Sequence, residues 1–172
     1  MEVPARPEIA FSPESHVYRV NGRLYPSVTG IMQAAGLYQG PPNGCVDDAT
    51  MERAKAIGSA AHAACAILSQ GRALDWSSVH PDVEPHVRAF EKFQRDMPFR
   101  AVRVEYPVAS VMYRFAGMLD LCADFPSGKR ILIDLKTGRP TAHVAVQLAA
   151  YKIAWEEMHT NAGRINECWS VW

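Results

Sequence analysis

The sequence predicts an α/β domain with a short mixed β-sheet flanked by helices, and two observations carry this prediction. Residues 115–125 and 129–135 alternate between apolar and polar side chains, as two strands joined by a tight turn do. The pattern then changes to a helical period over residues 142–159 and returns to a strand at residues 165–172. An α-rich first half followed by three strands, a helix and a last strand indicates an α/β domain with a short mixed sheet.

The first third of the chain is predicted to begin with a loose arm at residues 1–10. A hairpin over residues 16–25 follows, because Asn21-Gly22 suits a type I′ turn between two strands. Ser27 is expected to cap a short helix that ends near Gly36.

The middle of the chain is predicted to contain two helices and one strand. Residues 39–47 are rich in proline and glycine and indicate a loop. Helices are expected at residues 49–70 and 85–96, and a strand at residues 101–109. Pro107 favours an edge or bulge position for that strand, since proline cannot donate to a β-ladder. Thr141 is the expected N-cap of the helix over residues 142–159.

The turn between the two central strands fixes their register. A three-residue loop at 126–128, with Gly128 in the left-handed region, places Asp120 opposite Asp134. The strand period of two places Lys136 on the same face. The other face of the hairpin is expected to be apolar, and its residues are Leu119, Leu121, Ala123, Phe125, Ile131, Ile133 and Leu135.

Two opposed carboxylates destabilise a sheet unless a cation lies between them. An oxygen-rich site of this kind suits a hard divalent ion, Mg²⁺ or Mn²⁺. A lysine beside it suits an anionic substrate or a developing negative charge. A solvated pair of strand aspartates, with Lys136 as a surface ion-pair partner, is the structural alternative.

Composition sets limits on the class of protein. The chain has 172 residues, 48% hydrophobic residues and a formal net charge of zero, with 18 basic and 18 acidic side chains. We therefore expect one domain spanning residues 1–172. A neutral total argues against strong nucleic-acid binding without excluding a local basic patch.

The compartment is predicted from the cysteines and from hydropathy. Cys45, Cys65, Cys122 and Cys168 form no CxxC pair, which disfavours zinc or iron–sulfur ligation. A disulfide framework is not expected, because the chain is large enough to fold on its own core. No apolar run reaches membrane-spanning length, and the first residues do not resemble a signal peptide. We expect a cytoplasmic protein with reduced cysteines that does not act at a membrane.

Four sequence blocks resemble those of the PD-(D/E)XK nuclease superfamily, in its RecB-like and phage-exonuclease branch. The blocks are Gly117–Asp120, Asp134–Gly138, the QxxxY block Gln147–Tyr151, and the upstream stretch from Arg53 through Gly58 to His62. Leu119 stands where the superfamily name has proline. The resemblance implies a restriction-endonuclease-like core.

The resemblance also implies roles for individual residues. Metal ligands would be His62, Asp120, Asp134 and the carbonyl of Leu135. Lys136 would orient the attacking water or stabilise charge at phosphorus, and Glu105 resembles an accessory acid. Gln147 and Tyr151 would position the lysine, the water or the DNA backbone.

Structural alternatives stay open for some of these residues. His62 could be a half-buried helix histidine, Tyr151 could belong to the apolar stripe of its helix, and Glu105 could be an exposed strand acid. Basic residues that flank the expected site and could contact phosphates are Arg53, Lys55 and Arg139. The other histidines, His16 among them, are given no role.

The expected function is hydrolysis of DNA phosphodiester bonds with Mg²⁺ or Mn²⁺. The substrate would be duplex or single-stranded DNA, and the enzyme an exonuclease of phage or prokaryotic recombination and repair. A homo-oligomer or a recombination protein is a possible partner. The alternatives are a catalytically inactive nuclease-fold subunit that binds nucleic acid or aids assembly, a small-molecule phosphoesterase, and a structural α/β protein.

Overall fold

The computed structural model describes residues 6–37, 47–159 and 163–172. These described residues form the strands β1 (Ile9–Ser12), β2 (Val17–Val20), β3 (Arg23–Tyr25), β4 (Arg100–Ser110), β5 (Phe115–Asp124), β6 (Arg130–Leu135) and β7 (Glu167–Val171). They also form the α-helices α1 (Val28–Ala34), α2 (Asp48–Ser69), α3 (Glu84–Asp96) and α4 (His143–Met158), with a 3₁₀ turn at Trp76–Ser78. Most of the expected loop at 39–47, Cys45 and the first half of the expected arm lie outside the described residues.

The central sheet has four strands in the order β4-β5-β6-β7. The β4–β5 and β5–β6 pairs are antiparallel, and the β6–β7 pair is parallel. The prediction of a short mixed sheet flanked by helices is therefore confirmed. β4 is an edge strand, one of the two positions that Pro107 favoured.

The turn between β5 and β6 has the predicted register. Phe125 N–H donates to the Lys129 carbonyl at 2.9 Å, and Gly128 adopts a φ of +78°. The ladder pairs Leu121 with Ile133, so Asp120 and Asp134 are the next residues along the two strands. Glycine at this position removes the steric conflict that a side chain would meet at positive φ.

The two faces of the sheet are covered by different helices. Leu132 packs in a buried cluster with Val144, Leu148 and Trp155 of α4. Its neighbours Ile131 and Ile133 pack in a second cluster, which includes Cys65 of α2 and Phe90 of α3. Because successive strand residues point to opposite faces, α4 covers one face and α2 with α3 the other.

The prediction that Leu119 shares the face of Leu121 is wrong. Leu119 belongs to the α4 cluster, whereas Leu121 belongs to the cluster of α2 and α3. The neighbouring strand is irregular here: Glu105 lies between the partners of these two leucines and has a φ of +46°. The alternation is interrupted at this point, and Asp120 faces α2 together with Leu121.

The N-terminal strands form a separate antiparallel sheet in the order β1-β2-β3. Tyr18 and Val20 of β2, each 1% exposed, pack on Ala109 and Ala116 of the central sheet. β1 begins at Ile9, so the expectation of a loose arm through residue 10 is wrong for its last two residues. Pairing with β2 satisfies their backbone groups.

The helix caps were predicted with mixed success. Ser27 caps α1, since its hydroxyl accepts from Gly30 N–H at 3.0 Å. Thr141 does not cap α4: the N-cap is Ala142, and the Thr141 hydroxyl lies 3.2 Å from the His143 ring instead. None of the described helices is long and apolar enough to cross a membrane.

Candidate metal centre

Three side chains from three different elements converge beside α2. They are His62 of α2, Glu105 of β4 and Asp120 of β5, and one ligand atom of each lies within 4.8 Å of the others. His62 Nδ1 is 3.3 Å from Asp120 Oδ1. A carboxylate pair with an imidazole is a donor set that fits a divalent cation such as Mn²⁺.

Local structure explains how these side chains meet. Glu105 has a left-handed φ, and its carboxylate lies close to His62 and Asp120. Asp120 Oδ2 accepts the backbone N–H of Leu135 at 2.7 Å, which holds the carboxylate at the end of the β5–β6 ladder. Gly58 of α2 lies next to Thr137, and a Cβ on Gly58 would meet Thr137 Oγ1 at 3.4 Å, which is close to ordinary contact distance.

Asp134 and Lys136 form a second part of the site. Asp134 is only 2% exposed, and its Oδ2 lies 2.7 Å from Lys136 Nζ. This atom makes no hydrogen bond of ordinary geometry, so its buried charge is only partly satisfied. Asp134 is not a member of the three-residue group around His62.

The pKa values report an excess of negative charge. Burial, followed by the charge of Asp120, raises the pKa of Asp134, and the ion pair with Lys136 only partly opposes this. Burial and Asp120 also raise the pKa of Glu105 to about 7, although its exposed side chain lets water screen part of the repulsion. Burial lowers the pKa of His62, but the hydrogen bond and charge of Asp120 outweigh it and the net pKa is raised. A bound cation would offset the negative charge that contributes to all three raised pKa values.

Gln147 and Tyr151 are buried behind β5. Gln147 Nε2 donates to the Tyr151 hydroxyl at 2.9 Å. A Cβ on Gly117 would lie 2.5 Å from Tyr151 Cε1, so the ring occupies the space that glycine leaves. Burial raises the pKa of Tyr151, and the charges of Asp120 and Asp134 add to the effect. The surroundings of Tyr151 therefore agree with both interpretations, a residue of the apolar core and a residue that positions the site.

The predicted phosphate-binding residues lie on the surface. Arg53 is ion-paired with Asp82, and Lys55 Nζ lies 2.7 Å from Glu52. Arg139 is exposed in the segment that follows β6.

An open cleft of about 570 Å³, here called the site cleft, contains the three-residue group. Besides His62, Glu105 and Asp120, its lining includes Phe11 and His16 of the N-terminal sheet. Sequence reasoning missed this contribution. The hairpin was visible in the sequence, but its packing against β4 and β5 depends on long-range contacts that no local pattern encodes.

Residues 76–167, more than half of the chain, match the PD-(D/E)XK nuclease superfamily. The chain therefore belongs to this superfamily, and its four-stranded mixed sheet with flanking helices is the restriction-endonuclease-like core. The match includes the blocks that contain Asp120, Asp134 and Lys136.

Among solved structures, the chain is similar to a repair endonuclease from Pyrococcus abyssi. The sequence identity is 16% and the TM-score 0.36, and the similarity covers 57% of this chain and 40% of the other. The chain thus spans less than half of that protein's length. No curated protein sequence matches the chain significantly.

Proposed function

We propose that this protein is a divalent-metal-dependent nuclease that hydrolyses DNA phosphodiester bonds. The observation that carries the proposal is the group His62, Glu105 and Asp120 beside the buried Asp134–Lys136 pair. Membership of the superfamily supports phosphodiester hydrolysis as the reaction class. An exonuclease role in phage or prokaryotic recombination or repair, in a cytoplasmic setting, is proposed on the resemblance of the QxxxY block to the RecB-like branch.

The chain's donor set fits a divalent ion. His62, Glu105, Asp120 and Asp134 would hold it, with the Leu135 carbonyl as a further ligand suggested by the resemblance. Mg²⁺ and Mn²⁺ both accept carboxylate oxygens, and the imidazole of His62 favours Mn²⁺. When bound, the ion supplies positive charge at the phosphate and lowers the pKa of water.

Lys136 stabilises negative charge on the substrate. Its ammonium group is held beside Asp134, and its side chain is 24% exposed, so it can reach a phosphate at the surface. A positive charge fixed where negative charge develops lowers the barrier without reorganisation during the reaction.

Gln147 and Tyr151 act as positioning residues in this proposal. They are buried, they bond to each other, and the Tyr151 ring fills the space above Gly117. Their effect on catalysis passes through the placement of β5, which holds Asp120.

Substrate contact by Arg53, Lys55 and Arg139 is part of the proposal. Each is exposed, and the ion pairs of Arg53 and Lys55 with acids are surface pairs, which contribute little to stability and can exchange for phosphate. A homo-oligomer or a recombination protein partner would add contacts by avidity.

Cleavage of three labelled DNA molecules tests the proposed function. Linear duplex, single strand and covalently closed circle are incubated with Mg²⁺, Mn²⁺ or EDTA. We expect metal-dependent cleavage of the linear forms and an intact circle, and no cleavage by a folded Asp120→Asn variant. Cleavage of the circle would exclude an exonuclease. DNA binding without any metal-dependent product would favour the inactive, nucleic-acid-binding subunit.

A further inference from the structure

Two aromatic side chains of the N-terminal sheet line the site cleft, and the superfamily motifs do not include them. Phe11 is half-buried at β1, and His16 is exposed in the turn before β2. We infer that these two rings bind an unpaired nucleobase of a DNA strand whose backbone lies at the metal centre. The inference rests on the proposed function and specifies the class of DNA that the site takes.

The Phe11 ring is held in a fixed place. Phe11 pairs with Tyr18 across the β1–β2 ladder, and their rings stack at 4.6 Å between centroids with an interplanar angle of 27°. Tyr18 is 1% exposed and packs on Ala109 and Ala116. A ring anchored in this way loses little conformational entropy when a base packs on it.

His16 provides the second ring of the pair, and its backbone conformation is unfavourable. Its ring centroid is 5.4 Å from that of Phe11, nearly perpendicular at 88°. Its φ of +51° lies in the left-handed region, which is unfavourable for most side chains. Strain of this kind concentrates where a side chain has a function.

Only an unpaired base can use such a surface. In a duplex, both faces of each base are covered by neighbouring bases, whereas an unpaired base can stack on an aromatic side chain. The two rings line the same cleft of about 570 Å³ as Glu105 and Asp120. This volume is in the range of sites that hold one small ligand, so a single nucleotide can contact the two rings and the acidic residues at the same time.

The charge distribution supports the same substrate. The chain has no net charge, and the phosphates of a strand gain little from a neutral protein. Base stacking adds affinity that does not depend on net positive charge. A site of this composition is better suited to an unpaired strand than to the backbone of an intact duplex.

Fluorescence anisotropy in EDTA tests the inference without cleavage. The probes are a labelled single-stranded oligomer, the same oligomer with abasic residues in place of its bases, and the matching blunt duplex. For Phe11→Leu, which keeps an apolar side chain, we expect about tenfold weaker binding to the intact oligomer, equivalent to about 1.4 kcal/mol. We expect no change with the abasic oligomer or the duplex, because neither presents a free base.

Two further variants separate stacking from folding. His16→Asn keeps a residue that tolerates left-handed φ and should weaken binding of the intact oligomer in the same selective way. Leu24→Ala changes a side chain that is 63% exposed on β3 and does not line the cleft, so its affinity should equal that of the parent. Thermal melting confirms that each variant is folded.

The outcomes distinguish this inference from the proposed function. Equal binding of all probes by the parent, Phe11→Leu and His16→Asn proteins would overturn the inference, as would equal losses on the intact and abasic oligomers. If the parent cleaves DNA with metal while binding stays independent of Phe11, only the inference fails. If binding depends on Phe11 and no metal-dependent cleavage occurs, the proposed function fails and base recognition stands.

Discussion

At the scale of single residues, the site combines groups that oppose one another in the absence of a cation. Asp120 raises the pKa of both Asp134 and Glu105, and Asp134 is buried beside a single lysine. Sequence reasoning found these residues because a turn fixed the strand register. It left Glu105 undecided, since no local pattern predicts a strand residue with φ of +46°.

Lys136→Met should reduce single-turnover cleavage by orders of magnitude while leaving DNA affinity nearly unchanged. A charge that acts at the transition state affects the rate more than ground-state binding. Rapid-quench kinetics with saturating enzyme measure this rate. Lys92→Met is the matched control, because Lys92 is an exposed lysine that pairs with Asp96 on α3 and has no proposed contact with DNA. A cleavage rate for Lys136→Met within about threefold of the parent rate would show that Lys136 does not take part in the mechanism.

His62→Ala should weaken Mn²⁺ affinity about tenfold or more and change the metal-free melting temperature little. The imidazole is half-buried next to Asp120, so its removal deletes a ligand without opening a core cavity. Calorimetric titration gives the affinity, with the exposed His80→Ala as control. Unchanged affinity together with a large loss of metal-free stability would show that His62 is a structural residue.

Metal-free stability should fall as pH rises. The folded-state pKa values of Glu105, Asp134 and His62 are raised, so their contributions are present at low pH and are lost on deprotonation. The contribution of Glu105 is lost between pH 4.5, the ordinary pKa of its carboxyl group, and about pH 7, its pKa in the folded protein. Urea unfolding in EDTA between pH 5 and pH 8 measures the effect.

Asp134→Asn should flatten this decline and keep or raise the melting temperature at pH 8. The substitution removes a buried charge, and we expect it to change the free energy of unfolding at pH 8 by an amount on the order of 2 kcal/mol. Asp96→Asn alters an exposed acid of a surface ion pair and should leave the slope unchanged. A parent protein that gains stability between pH 5 and pH 8 would contradict the electrostatic account.

At the scale of elements, the site depends on how closely α2 and α4 approach the sheet. The sequence predicted the helices and the strands other than β1 to within about two residues, because periodicity and turn residues agreed. It did not predict the cap of α4 or the face of Leu119, since both depend on neighbours distant in sequence. The contact between Gly117 and Tyr151 was likewise invisible to local patterns.

Gly117→Ala should destabilise the protein by about 1–3 kcal/mol and reduce cleavage. The added Cβ would lie 2.5 Å from Cε1 of the buried Tyr151 ring, so the ring, β5 or α4 must shift. Gly58→Ala is the control: its Cβ meets Thr137 Oγ1 at 3.4 Å, and alanine favours the helix. Urea unfolding measures both variants. Equal stability of Gly117→Ala and the parent would show that this close contact is not required.

At the scale of the whole molecule, a neutral chain concentrates negative charge at one cleft. Length and composition predicted one domain with a substantial core, and the net charge argued against a highly basic DNA-binding surface. The arrangement of the N-terminal sheet beside the central one could not be predicted, because it rests on buried contacts such as Tyr18 with Ala116.

DNA binding should depend only weakly on salt. With Arg53, Lys55 and Arg139 as the phosphate contacts of the bound strand, the slope of log affinity against log salt for a single strand should be no steeper than about −2. Arg139→Ala should reduce its magnitude by about 0.7. Anisotropy titrations at several salt concentrations measure the slope. A slope of about −6 or steeper would indicate a basic surface that the account omits.

Calorimetric titration of Mn²⁺ at pH 7.5 tests whether His62, Glu105, Asp120 and Asp134 form a metal centre. We expect saturable binding by the parent protein and a loss of about tenfold or more in affinity for Asp120→Asn. Asp82→Asn, which alters a surface acid paired with Arg53, should bind like the parent. Equal Mn²⁺ binding by the parent and a folded Asp120→Asn protein, or no binding by either, would contradict the account.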